Sequence, residues 1–96
     1  MNRLVLTASL LERGARRYTP AGLPALDLVL THQSEVEQDG QPRKVSMEIK
    51  ALAIGAICGR IEALALGRTA IIAGFLATGR NGRGLLFHVT EVEPEA

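Results

Sequence analysis

Apolar and polar residues alternate from the start of the chain. Leu4, Leu6, Ala8 and Leu10 fall on one side, Val5, Thr7 and Ser9 on the other. A period of two is the signature of a strand with one buried face. The stretch from Arg13 to Pro24 holds Gly14, Pro20, Gly22 and Pro24 and reads as a loop or bend. Alternation resumes with Leu26, Leu28 and Leu30 against Asp27, Val29 and Thr31, a second strand. Residues 35–42 are polar around Asp39-Gly40, which predicts a turn inside a longer hairpin loop. Val45, Met47 and Ile49 against Ser46, Glu48 and Lys50 give a third strand.

The period then changes. Ile54, Ile57, Cys58, Ile61 and Leu64 recur at three and four and form a helical stripe. This predicts a short helix over Ala56 to Leu66 ended by Gly67 as a C-cap. Residues 69–77 are a fourth strand, apolar on both faces, with Gly74 marking a bulge or bend. Asn81-Gly82, inside the run Gly79 to Gly84, signals a hairpin, and Leu85 to Val92 is the fifth strand. Residues 93–96 form an acidic tail expected to fray.

Five short strands with one helix between the third and fourth match the OB-fold, a small Greek-key barrel. Closure removes sheet edges, and Gly14, Gly74 and Gly84 sit where such a barrel must bend. At 96 residues the chain allows one domain, residues 1–96. With 3% aromatic residues and no Trp, its core must be aliphatic. Phe75 and Phe87 read as core.

Composition narrows the chemistry. One cysteine, Cys58, excludes an internal disulfide framework and fits a reducing cytoplasm. No apolar run is long enough to cross a membrane as a helix. Arg3 followed by Leu4 to Leu11 loosely imitates a signal peptide, yet no cleavage site precedes Glu12-Arg13. No catalytic constellation is visible: His32 and His88 stand alone in strands, each expected to pack its ring and leave a nitrogen in water. One Cys with two scattered His supplies no metal site, and no cofactor is implied. Cys58 reads as a small core hydrophobe.

Charge matters through its distribution. The net charge is only +1. Yet three basic clusters fall in turns: Arg13, Arg16 and Arg17; Arg43 and Lys44; Arg80 and Arg83. Acids gather elsewhere, at Glu35, Glu37 and Asp39 and at Glu91, Glu93 and Glu95. Basic turns on such a barrel suit the phosphates of a single strand. The candidate set is Arg13, Arg16, Arg17, Tyr18, Arg43, Lys44, Lys50, Arg80 and Arg83, with Tyr18 as the one aromatic in a basic loop. The same patches would also suit an acidic protein partner.

Ordered fragments along the chain resemble a known family. They are Asn2 to Leu6, Pro20 to Pro24, Leu30-Thr31-His32, Gly40 with Arg43, and Gly74-Phe75-Leu76. Together they are similar to the primosomal replication protein N (PriB) family, small single-strand-binding-like OB-fold proteins of the replication-restart primosome. The resemblance implies a cytoplasmic homodimer that binds single-stranded DNA and contacts the restart helicase and other primosome proteins. By position it also implies basic contacts at Arg17 with Arg16 beside it, at Arg43, and at Arg80 and Arg83. Three positions depart from the family pattern: Ser46 and Gln41 stand at aromatic positions and Gln33 at a basic one. Each missing stacked base costs about 1–3 kcal/mol, so binding weaker than in better-endowed relatives is expected. Uncharged outward positions Val5, Thr7, Val29 and Thr31, with the double-faced fourth strand, fit the homodimer.

Overall fold

The structure, a computed structural model, describes residues 1–79 and 81–95. Its elements are β1 (Leu4–Arg13), β2 (Arg17–Tyr18), β3 (Pro24–Gln38), β4 (Gln41–Ile54), α1 (Ile57–Glu62), β5 (Thr69–Thr78) and β6 (Leu85–Pro94). The strands run β1-β5-β6-β4-β3, and β1 also pairs with β3, which closes the barrel. β1 achieves this by serving two partners in turn. Leu4 to Ser9 pair with β5, and Ser9 to Arg13 pair with β3. A bulge between Leu10 and Glu12 bends the strand from one partner to the other. The contact of Ala51 to Ala53 of β4 with Phe87 to Val89 of β6 is parallel, while the other pairings are antiparallel. This is the OB-fold.

The alternating residues line the interior as their period requires. Leu10, Leu26, Leu30, Ile72 and Phe87 are fully buried, and α1 adds Cys58 and Ile61. The core is thus aliphatic around one ring, Phe87. The Cys58 thiol donates to the Ala53 carbonyl at 3.4 Å, and burial pushes its pKa up.

Gly74 sets how closely β5 and β6 approach. A Cβ there would stand 1.8 Å from the His88 carbonyl oxygen, a clash with backbone that no rotamer relieves. The predicted bulge lies at this point, and its extra residue belongs to β6. Ala73 pairs with Glu91 and Gly74 with Val89, leaving Thr90 between.

Four expectations need correction. The helix is shorter than Ala56 to Leu66 and ends at Glu62, with Ala63 rather than Gly67 at its C-cap. Arg13 reaches the carbonyls of Ile61, Glu62 and Leu64 there, the first of which also accepts the Leu64 amide. Leu64 is nevertheless buried, as the stripe predicts, and the Gly67 amide donates to Leu10 of β1 at 2.8 Å. The polar hairpin loop at 35–42 is instead an arm of paired strands, continuous from β3 into β4 as far as Gln38 opposite Gln41. Asp39 and Gly40, with φ of 51° and 73°, make its two-residue turn, the geometry in which both central residues are left-handed. The loop from Arg13 to Pro24 contains the short β2, paired to β3. The acidic segment expected to fray pairs as far as Pro94, with Glu93 opposite Ile71 and Pro94 opposite Ala70.

Candidate nucleic-acid interface

The first basic cluster is held by the chain's own acceptors. One guanidinium nitrogen of Arg13 lies 3.3, 3.2 and 3.1 Å from the carbonyls of Ile61, Glu62 and Leu64. A cation there suits the partial negative charge of a helix C-terminus, where the Ile61 carbonyl also accepts the Leu64 amide. Arg16 grips both carboxylate oxygens of Glu62. That bond, with a smaller effect from the Tyr18 hydroxyl, raises the Arg16 pKa above its ordinary range, and holds Glu62 below the usual carboxylate value. Arg17 forms a second two-pronged pair, with Asp27 at 3.0 and 3.1 Å, and this raises its pKa in turn. Tyr18 next to them is 62% exposed.

A different group of cations faces the outer side of the barrel. Cross-strand partners share a side of the sheet, and successive residues alternate. Val29 opposite Lys50, and Asp27 opposite Leu52, therefore point outward, as do His88 beside Leu52, Phe75 beside His88 and Leu86 beside Ala77. The tip of the β5–β6 hairpin overhangs this face. Between them runs a groove of about 360 Å³ lined by Asp27, Lys50, Asn81, Arg83 and Leu86. It continues into a largely apolar depression of about 330 Å³ that shares Asp27, Lys50 and Leu86 and adds Glu12, Leu28, Val29 and Ala51. The Asn81 side-chain oxygen accepts the Arg83 amide at 3.0 Å and shapes the tip. Among the described residues, no acid holds the Lys50 or Arg83 side chain. Arg80 lies outside the described residues.

The arm carries the third cluster. Arg43 stands opposite Val36, and Lys44 opposite Glu35, both exposed. A shallow depression beside Lys44 is lined by Gln33, Ser34, Glu35, Val45 and Ser46. The described candidates therefore do not form one patch. Lys50 and Arg83 share the groove, with Arg17 at its margin through Asp27; Arg13 and Arg16 turn to α1, and Arg43 and Lys44 ride on the arm. No three His, Cys, Asp or Glu side chains gather as a metal site among the described residues.

The comparisons agree with this geometry. Residues 2–91 match SSB_1, described as another single-strand binding protein family. The chain is 49% identical over 80 residues to replication restart protein PriB of Bordetella pertussis, covering 83% of this chain and 75% of that one. The chain belongs to the PriB family of replication restart proteins. The PriB structure from Ralstonia solanacearum matches with a TM-score of 0.91 at 34% identity, over 100% of this chain and 99% of that one. The wild-type single-stranded DNA binding protein of Thermus aquaticus matches at 0.76 and 25% identity, over 100% of this chain and 50% of that one.

In this PriB-family chain the three departing positions lie on the arm. Gln33 and Ser46 face each other across β3 and β4, and Gln41 follows the turn. Two aromatic expectations change. Phe75, expected in the core, is 39% exposed on the outer face, its ring stacked on His88 at 4.7 Å and 7°. β5 is apolar on both sides, so its sequence left the parity of Phe75 unassigned. His32, expected to leave a nitrogen in water, is buried with both nitrogens engaged. Nδ1 lies 2.7 Å from the Thr7 carbonyl and must carry the proton, so Nε2 accepts from the Ser34 hydroxyl at 2.9 Å in the neutral ring.

Proposed function

We propose that this protein binds single-stranded DNA as an accessory of the replication-restart primosome, and that it helps assemble the restart helicase complex. The observation that carries the reading is the groove. In barrels of this class, oligonucleotides take the face of the second and third long strands and its two flanking loops. Here that face presents Lys50 and Arg83 beside apolar walls. Arg43 and Lys44 extend the basic track along the arm, with Arg80 a further contact on the hairpin. The acids of the first cluster would have to yield before Arg16 and Arg17 met phosphate.

The protein acts as a cytoplasmic homodimer in this reading. Support comes from the edge of β1, which pairs with β5 at Leu4 to Ala8 while β3 joins only at Ser9. Val5 and Ile71 are exposed apolar residues on the two paired strands beside that edge. Light scattering at twice the mass of the chain is the expected result, and a monomer at micromolar concentration would refute it.

The test of DNA binding is fluorescence anisotropy of a labelled oligonucleotide against salt, for DNA and for RNA. With four to six phosphates neutralised, log affinity should fall with log salt at a slope of about −3 to −4. A flat response would sink the reading. One observation favours a second emphasis, an adaptor working mainly through protein contacts: arginines are spent on internal pairs, and Ser46 and Gln41 offer no ring. Capture of the restart helicase by a protein that fails to bind oligonucleotide would favour that emphasis.

A further inference from the structure

We propose that Phe75, backed by His88, is a base-stacking platform at the far side of the groove. The inference rests on the single-strand reading above and adds a subsite to it.

A large aromatic ring on a barrel strand is ordinarily buried, and Phe87, one strand away, is fully so. Phe75 is instead exposed, on the same outer face as Lys50 and Leu86. Its ring does not lie flat to cover apolar surface. It stands parallel to His88 with the centroids 4.7 Å apart, close to the spacing of neighbouring strands, so both rings rise edge-on from the sheet. His88 is flanked by Leu52 of β4 on its other side, and Leu52 is buried without belonging to the core cluster. The short stack is therefore closed at Leu52, while its other end, Phe75, is 39% exposed and bordered by Arg3, because Asn2 bonds Leu76 and sets Arg3 beside Phe75. Gly74 fixes this end of the stack, because the tight approach it permits sets Phe75 opposite His88.

A nucleobase fits this exposed end, beside Arg3. Every base has a π-face, and stacking on an aromatic ring needs no hydrogen-bond code. Charge favours a nucleotide over an apolar peptide. Phe75 is level with Leu52, so Lys50 lies two strand spacings across and two residues along, about 12 Å away. About two nucleotides span that distance, so a base on Phe75 leaves a nearby phosphate at Lys50. Arg3, which borders this end, is itself held by Glu91 at 3.4 Å. The platform explains how a chain with no Trp still offers a ring to a single strand.

The lack of tryptophan supplies the test. Phe75→Trp introduces a single indole on the platform. Titration with a short thymidine oligonucleotide should quench its fluorescence strongly, and inorganic polyphosphate, which carries charge without bases, should not. Phe75→Leu, which keeps an apolar side chain without a π-face, should weaken oligonucleotide binding about fivefold or more while leaving the salt slope unchanged. Circular dichroism of each variant checks the fold. If the oligonucleotide binds the Trp variant without quenching, or the Leu variant binds as tightly as the wild type, the platform is overturned while single-strand binding stands. If the wild type binds no oligonucleotide, both fall.

Discussion

Two sets of cations sit on this barrel, and they are used differently. Arg13, Arg16 and Arg17 have close to the density of positive charge that suggests a phosphate site, yet each is occupied: by carbonyls at the end of α1, by Glu62 and by Asp27. Lys50 and Arg83 are further apart in sequence, meet in one groove, and have no acid holding them among the described residues. Proximity in sequence marks a charged loop, whereas availability to a polyanion depends on what else the fold brings to that charge. The first set is a device for fixing the β1–β3 connection to the helix and the barrel. The second is open to a ligand.

The largest effect expected from this contrast is on affinity. Replacing Lys50 and Arg83 together by Ala removes two phosphate contacts, which at physiological salt should weaken oligonucleotide binding roughly tenfold, read by anisotropy. Next comes stability at Arg13. Arg13→Ala strips the end of α1 of its cation and should cost about 1 kcal/mol, seen as a melting temperature lower by about 4–8 °C, with affinity nearly unchanged. A loss of affinity as large as that of the groove variant would erase the distinction between the two sets.

A smaller effect, of opposite sign, is expected at Asp27. Asp27→Asn removes a carboxylate that both lines the groove and holds Arg17, so it should tighten binding about threefold. Weaker binding would mean that the pair with Arg17 is needed to shape the site. The smallest effect concerns Glu62. Its pKa in the folded state is below the ordinary 4.5 because Arg16 bonds the carboxylate. The unfolded chain therefore takes up the proton first as pH falls, and this contribution, full above pH 4.5, is lost on descent through the depressed value. Glu62→Gln should flatten the acid limb of a melting-temperature profile slightly, since the pair is exposed.

Much of the fold was legible because the barrel obeys a simple rule: a residue facing the core is apolar, and its neighbours in β1 and β3 are free to differ. Where that rule lapses, so does legibility. Residues 35–42 leave the barrel, both faces of the arm meet water, and the alternation that would reveal a strand disappears. The stripe through Leu64 continued past the end of α1 because burial persists after helical hydrogen bonding stops. β5 is apolar on both faces, so Phe75 carried no sign of its side. For the site, the residue types were legible in the basic turns, but their partners were not. Nothing in the spacing of Arg16 and Glu62, or of Arg17 and Asp27, announces that these pairs meet. Lys50 and Arg83 are brought together only by the parallel contact of β4 with β6 and the overhang of the last hairpin.

The most direct test compares two salt titrations of the same oligonucleotide. The Lys50→Ala, Arg83→Ala protein should show a log–log slope shallower than the wild type by about 1.4, two contacts at about 0.7 each. The Arg13→Ala, Arg16→Ala protein should keep the wild-type slope. The reverse pattern, a slope lost with the paired arginines and kept without the groove cations, would contradict the account.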